Sequence, residues 1–311
     1  MNRFLLNIFL LVVFTTAFMY AQAIRLNALG GLSIGIEDID NSLTPFNFGN
    51  NPAWLYMHEK ESYLNISPSI SNSWGNYRRR FDSEGDMNYA TTFKGVKRLG
   101  ELGTFLGTTT YNYEVRRNYF HTLKYDSYAG EAFFFVDTTE GNFHYNGPTV
   151  ELMYSWQLAE DLYAGTSASY QLMDGLKKVF TYANTTYRRV GLNVGLAYQA
   201  TDDIILGANY TFFDSQEAIE CSDVNLLDVE VFLYRGETYF IKERGSSVNH
   251  KVRKKGSIFS GQIFSQLNED FQIALQTNYS PSNTKVLIPE SGFKEVEEGY
   301  SWYKSLDIQV K

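Results

Sequence analysis

A short polar pattern occurs three times in the sequence, and its surroundings constrain the fold more than any other feature. It reads Gln157-Leu-Ala-Glu-Asp161, Gln199-Ala-Thr-Asp-Asp203 and Gln266-Leu-Asn-Glu-Asp270. The runs on either side alternate. Before the first copy, Val150, Leu152, Tyr154 and Trp156 alternate with Thr149, Glu151, Met153 and Ser155. Before the second, Val190, Leu192, Val194, Leu196 and Tyr198 oppose Gly191, Asn193, Gly195, Ala197 and Gln199. After it, Ile204, Leu206, Ala208, Tyr210 and Phe212 carry the alternation onward. A period of two held over ~10 residues and broken by tight polar turns is the pattern of antiparallel hairpins.

One face of these runs holds Val, Leu, Ile, Ala and Tyr, and the other holds Gly, Ser, Asn, Gln and Thr. A soluble sandwich buries the first face, whereas a transmembrane barrel turns it outward to hydrocarbon. The chain is rich in aromatics, with 23 Tyr, 23 Phe and 4 Trp against 6 Pro. After residue 23 no run approaches the ~20 apolar residues of a membrane-spanning helix. Tyr170, Tyr198, Tyr210 and Tyr279 are expected near strand ends, where an aromatic girdle belongs.

The three copies form short turns at one end. At the other end, segments 173–188, 214–256 and 281–299 read as long irregular polar loops. That asymmetry matches periplasmic turns below and extracellular loops above. The expected fold is all-β, an antiparallel transmembrane β-barrel. Its ten visible strands lie near 62–70, 87–97, 102–113, 148–158, 162–172, 189–200, 204–213, 257–267, 271–280 and 301–311. Residues 114–147 are expected to hold an extracellular hairpin or folded loop around Phe133-Phe-Phe-Val136.

Met1 to Ala23 reads as a secretory signal peptide, with Arg3 as its positive region and Ala21-Gln22-Ala23 as its cleavage site. Residues 24–61 form a separate N-terminal segment, and 62–311 form the barrel. The segment begins with Gly30 and Gly31, carries Glu37, Asp38 and Asp40, and ends Asn51-Pro52-Ala53-Trp54-Leu55. It keeps no steady period, so it needs surrounding groups to satisfy its backbone. A barrel lumen would supply them, and the three acids could pair with basic groups on the inner wall.

Little in the chain points to covalent chemistry. The net charge is −8, and −9 once Arg3 is removed, which argues against a nucleic-acid partner. Cys221 is the single cysteine, placed in a predicted outer loop, so no intrachain disulfide forms. His58, His121, His144 and His250 have no metal-ligand spacing, and no serine pairs with any of them at a suggestive distance. No catalytic residue, metal or cofactor is assigned. Lys251, Arg253, Lys254 and Lys255 are expected at the end of an outer loop, where they could contact outer-membrane lipid or lipopolysaccharide. Arg78-Arg-Arg80 and Arg188-Arg189 fall at similar heights.

The order of signal peptide, Gly30-Gly31-Leu-Ser-Ile-Gly-Ile-Glu-Asp38, Asn51-Pro52-Ala53-Trp54-Leu55 and a first strand from about Ser62 resembles the FadL family of outer-membrane transporters. The resemblance implies that the N-terminal segment is a hatch inside the barrel. It also implies passive passage of hydrophobic small molecules, such as long-chain fatty acids, from an external site past that hatch. Phe133, Phe134 and Phe135 are the candidate lining of an apolar pocket near the outer loops. The segment is similar as well to a related branch in Bacteroidetes-like bacteria, the PorV-like barrels of type IX secretion, which implies secretion-machine partners. Two departures stand out. The family has about fourteen strands, and this chain ends Ile308-Gln-Val-Lys311 rather than on a terminal aromatic. The expectation is either a smaller variant or a chain incomplete at its C-terminus.

Overall fold

The computed structural model describes residues 50–58, 62–75, 82–119, 123–125, 132–137, 139–178, 182–222, 228–236, 238–268, 271–289 and 295–310. The signal peptide, the hatch residues Gly30, Gly31, Glu37, Asp38 and Asp40, and Arg78 to Arg80 lie outside the described residues.

Among the described residues one short α-helix, α1 (Trp54–His58), precedes thirteen strands. They are β1 (Tyr63–Trp74), β2 (Gly85–Arg98), β3 (Thr104–Tyr119), β4 (Phe133–Asp137), β5 (Gly141–Ala159), β6 (Leu162–Lys177) and β7 (Tyr182–Thr201). Then come β8 (Ile204–Ser222), β9 (Val229–Arg235), β10 (Tyr239–Gly245), β11 (Ser247–Asn268), β12 (Phe271–Pro289) and β13 (Glu295–Val310). Ten of these form one sheet in the order β1-β2-β3-β5-β6-β7-β8-β11-β12-β13, and β10-β9-β4 form a second sheet. The ten are the strands expected from the alternation. Every pairing in both sheets is antiparallel. Among the described residues β1 and β13 each pair on one side only, so closure of the sheet into a full ring is not seen among them.

The repeated pattern builds the same device three times. The chain reverses at Ala159↔Leu162, Thr201↔Ile204 and Asn268↔Phe271. Each reversal has a register shift beside it, between Gln157 and Ala159, Gln199 and Thr201, and Gln266 and Asn268. An extra residue there adds twist at the rim of the sheet. Neighbouring hairpins are also joined. Gln199 N donates to Asp161 O at 2.9 Å, and Gln266 N donates to Asp203 O at 2.9 Å.

The wall reverses its polarity along its height. In β7, Val190, Leu192, Val194, Leu196 and Tyr198 are exposed while Gly191, Asn193, Gly195 and Ala197 are buried. Away from the turns the sense inverts: Asn184, Thr186 and Arg188 are exposed, and Ala183, Thr185 and Tyr187 are buried. β8 follows, with Leu206 and Tyr210 exposed below and Ile219 and Cys221 buried above. So does β11, with Phe259 and Ile263 exposed below and Val248 and Val252 buried above.

This inversion corrects the expected long loops. Pairing continues to Lys177↔Ala183, Tyr182↔Ser222 and Pro289↔Glu295. Much of 173–188, 214–256 and 281–299 is therefore strand whose outward residues are polar. Cys221 is a buried residue of β8, not a loop residue. Tyr170, Tyr210 and Tyr279 lie in strand interiors for the same reason.

The inward apolar face of the upper wall is covered by the second sheet. Phe133 and Phe135 of β4, with Val229, Val231 and Leu233 of β9, pack against Phe143, Tyr145, Met173, Tyr187, Ile219, Val252 and Val286. Those wall residues come from six strands between β5 and β12, so the wall curls around this cap. A buried ion pair fixes it, Lys177 on β6 with Asp137 on β4. Lys177 Nζ also donates to Thr139 O at 2.9 Å and to Thr139 Oγ1 at 3.2 Å. Burial pushes the Asp137 carboxyl above its ordinary range, and Lys177 pulls it the other way.

Candidate functional site

The lower half of the trough holds the end of the N-terminal segment. Asn51 starts α1: its Oδ1 accepts from Ala53 N at 3.0 Å and its carbonyl from Trp54 N at 3.2 Å. A side-chain oxygen capping the first turn suits Asn, and Pro52 sits where a missing N–H costs nothing. At the other end, Arg98 Nη1 donates to Tyr56 O at 3.0 Å while its guanidinium lies 4.3 Å from the Tyr56 ring centroid.

A circuit of amides from the wall clasps this turn. Asn51 Nδ2 donates to Leu196 O at 2.9 Å, Ala208 O at 3.3 Å and Gln262 Oε1 at 3.0 Å. Gln262 Nε2 donates to Asn209 Oδ1 at 2.8 Å, and Asn209 Nδ2 to Asn193 Oδ1 at 3.2 Å. Asn193 Nδ2 returns to Asn50 O at 2.7 Å. Ser155 Oγ is shared between Ala53 O and Ala164 O, at 3.0 Å from each. The circuit contains no formal charge.

Glycines make room for the contact. A Cβ on Gly165 would lie 2.5 Å from Ala53 N, and one on Gly195 would lie 2.9 Å from Asn51 Cγ. One on Gly207 would lie 2.7 Å from Trp54 Cζ2. Ser155, Gly165, Gly195 and Asn209 share one register row across β5 to β8. Apolar contacts complete the dock. Leu55 packs with Val96, Leu106 and Met153 on one flank, and Ala53 and Trp54 pack with Ala197 on the other.

Beside the docked turn is a cavity of about 580 Å³ with Asn50 and Asn51 on its wall. Lys94, Glu151, Ser167, Arg189 and Asn193 make it polar, and Leu106, Met153 and Ile258 supply apolar surface. Lys94, Thr108, Glu151, Ser169 and Gly191 form one row across five strands.

The residues singled out in the sequence separate into three places. Asn51, Pro52 and Ala53 are in the dock. Phe133 and Phe135 are packed in the cap core, Phe135 with its ring 4.7 Å from His250. Phe134 lies on the other face of the cap with Val136, Phe232 and Tyr234. None of the three lines this cavity. Lys251, Arg253, Lys254 and Lys255 are strand residues of β11, not loop residues, because β11 begins at Ser247. Arg253 and Lys255 both reach Asp214, at 2.9 and 3.2 Å. The receptor residues Ser155, Asn193, Asn209 and Gln262 were not singled out. Their signal is weak: amide or hydroxyl side chains on the polar face of the strands.

These features define an antiparallel β-wall with an apolar outer band, a polar inner trough and an inserted N-terminal segment. The chain belongs to a family of unknown function, DUF6850, whose match runs over residues 52–310 and so begins in the docked turn. Among solved structures it is similar to the ferric-catecholate import receptor Fiu of E. coli K12 in its open form, at 7% identity and a TM-score of 0.42. That alignment covers 81% of this chain and 47% of the receptor, so the chain spans about half the receptor's length. No curated protein matches the chain.

Proposed function

We propose that the chain forms the wall of an outer-membrane β-barrel that passes small hydrophobic molecules, such as long-chain fatty acids, passively, with the docked segment as its hatch. The observation that carries this reading is the outward apolar band. Leu192, Leu196, Phe259, Leu306 and Ile308 are between 49% and 68% exposed. Keeping such side chains out of water is worth roughly 1.5–3 kcal/mol each when burial is complete. Left in water, a band across ten strands would rival the ~5–15 kcal/mol by which a domain is stable. In hydrocarbon it costs nothing. Val190 to Tyr198 spans roughly 26 Å of strand, close to the ~25 Å apolar height of an outer-membrane wall.

The dock suits a hatch because its amide circuit joins neutral groups, each bond worth about 0.5–1.5 kcal/mol net. Arg98 brings a charge to the segment at the Tyr56 carbonyl, and it is only half-buried, so it can turn to water when the segment leaves. The adjoining cavity offers Lys94 and Arg189 to an acid head and Met153, Leu106 and Ile258 to its tail.

The test is the full chain in detergent, run unboiled beside boiled, followed by binding of a fluorescent fatty acid. A faster unboiled band and saturable binding are expected, with altered vesicle uptake after deletion of residues 28–55. Saturable binding lost by neither boiling nor the deletion would sink the hatch. A second reading, a PorV-like barrel that holds secreted clients, draws on the aromatic outer face of the cap. There Phe240 is exposed beside Phe232 and Tyr234. It predicts co-purified secretion proteins.

A further inference from the structure

The top edge of the apolar band carries a row of cations that hatch and passage do not use. Arg188, Gln216, Arg253, Lys285 and Tyr300 occupy one register row across β7, β8, β11, β12 and β13. The neighbouring row toward the turns places Lys255 beside Asp214. Arg188 points outward and bonds Gln216 Oε1 at 2.8 Å. Arg253 and Lys255 share the single carboxylate of Asp214, and Lys285 pairs with Glu297 at 2.6 Å. Among the described residues these cations reach Asp214 and Glu297, and Arg253, Lys255 and Lys285 are 40–45% exposed.

Directly below on the same seam is an apolar groove of about 600 Å³. Small Ala208 and Gly261 form its floor, and Trp156, Leu196, Tyr210 and Phe259 form its walls. Phe259 to Lys255 is four strand residues, roughly 13 Å. An acyl chain fits that separation of an apolar slot from a cationic head.

We infer that this outer face binds one anionic membrane lipid, its phosphate on Arg188, Arg253, Lys255 and Lys285 and its acyl chain in the groove. The inference rests on the membrane reading above. The clustering of these exposed cations selects a phosphate, because each cation near a membrane surface contributes attraction of about 1 kcal/mol. A zwitterionic headgroup carries its own ammonium and gains less.

The test reconstitutes the full chain in vesicles of phosphatidylcholine with a minor share of phosphatidylglycerol, then counts retained lipids by native mass spectrometry. The wild type should retain phosphatidylglycerol over phosphatidylcholine by about tenfold relative to the vesicle composition. The triple variant Arg188→Gln, Arg253→Gln, Lys285→Gln should retain the two in proportion to the vesicle. The single variant Lys285→Gln keeps the groove and the Asp214 cluster, and should fall between. Equal retention by wild type and both variants would overturn the site while leaving the membrane reading intact. Failure of the wild type to enter vesicles would overturn both.

Discussion

The lower and upper halves of β7 share one backbone geometry and obey opposite rules. From Val190 to Tyr198 the apolar side chains face out and the amides and glycines face in; from Tyr182 to Arg188 the arrangement is reversed. Each half has an occupant suited to its inner face. The lower trough holds a short turn mainly by an amide circuit over glycines, and the upper trough holds a three-stranded sheet by a continuous apolar core with the Lys177–Asp137 pair inside it. Strand pairing is therefore indifferent to which face is wet, and side-chain polarity assigns the surroundings. On the membrane function proposed above, the lower half suits hydrocarbon outside and polar groups inside, and the upper half suits water outside.

The largest expected effect tests the upper half. Asp137→Ala strands the Lys177 ammonium inside the cap and should cost about 3–5 kcal/mol in denaturant unfolding. The paired variant Asp137→Leu with Lys177→Met should recover most of that loss, because no unpaired charge remains. Trp54 should stay shielded from a soluble quencher in both, with Trp74, Trp156 and Trp302 replaced by Phe so that it reports alone.

Next, Val194→Arg in the middle of the lower band should cost about 2–4 kcal/mol in a lipid-reconstituted folding assay. Thr186→Arg, on the same outward face four turns of the alternation higher, should change stability by less than about 0.5 kcal/mol. Equal penalties at the two positions would erase the distinction between the halves.

The dock comes third. Asn51→Ala removes the side chain that caps α1 and feeds the amide circuit, and leaves Gln262 and two carbonyls without that donor. It should release the segment by about 1–3 kcal/mol, seen as quenching of Trp54 with little change in global unfolding. Smallest of all, Ser155→Ala deletes one hydroxyl bond to the Ala53 carbonyl. A loss of about 1 kcal/mol is expected, read in the same Trp54 assay.

The sequence made the ten wall strands legible in order, because alternation across the lower band is regular and the three turns punctuate it. It concealed their full length. Once the outward residues become Asn184, Thr186 and Arg188 in place of leucine and valine, a strand resembles a loop to anyone following the apolar stripe. The cap was hidden for the same reason, since β9 and β10 fall inside 214–256; only the run at Phe133 gave a hint of it. At the dock, Asn51-Pro52-Ala53 was conspicuous as a turn, but its receptors lie 145 and 211 residues away at Leu196 and Gln262. Such separations leave no local pattern. Asn193 and Gly195 look like ordinary inward residues until the turn is laid on them.

The bonds between successive turns bear on assembly. A strand displaced by one residue would swing Leu192 and Leu196 into the trough and Asn193 into the band. Nothing in the flat run of ladder bonds forbids that error by itself. Gln199 N reaching Asp161 O, and Gln266 N reaching Asp203 O, work like the notches of a comb. A hairpin arriving one tooth out misses its notch, so each finished turn checks the alignment of the next hairpin before the sides of the sheet commit to oil or water.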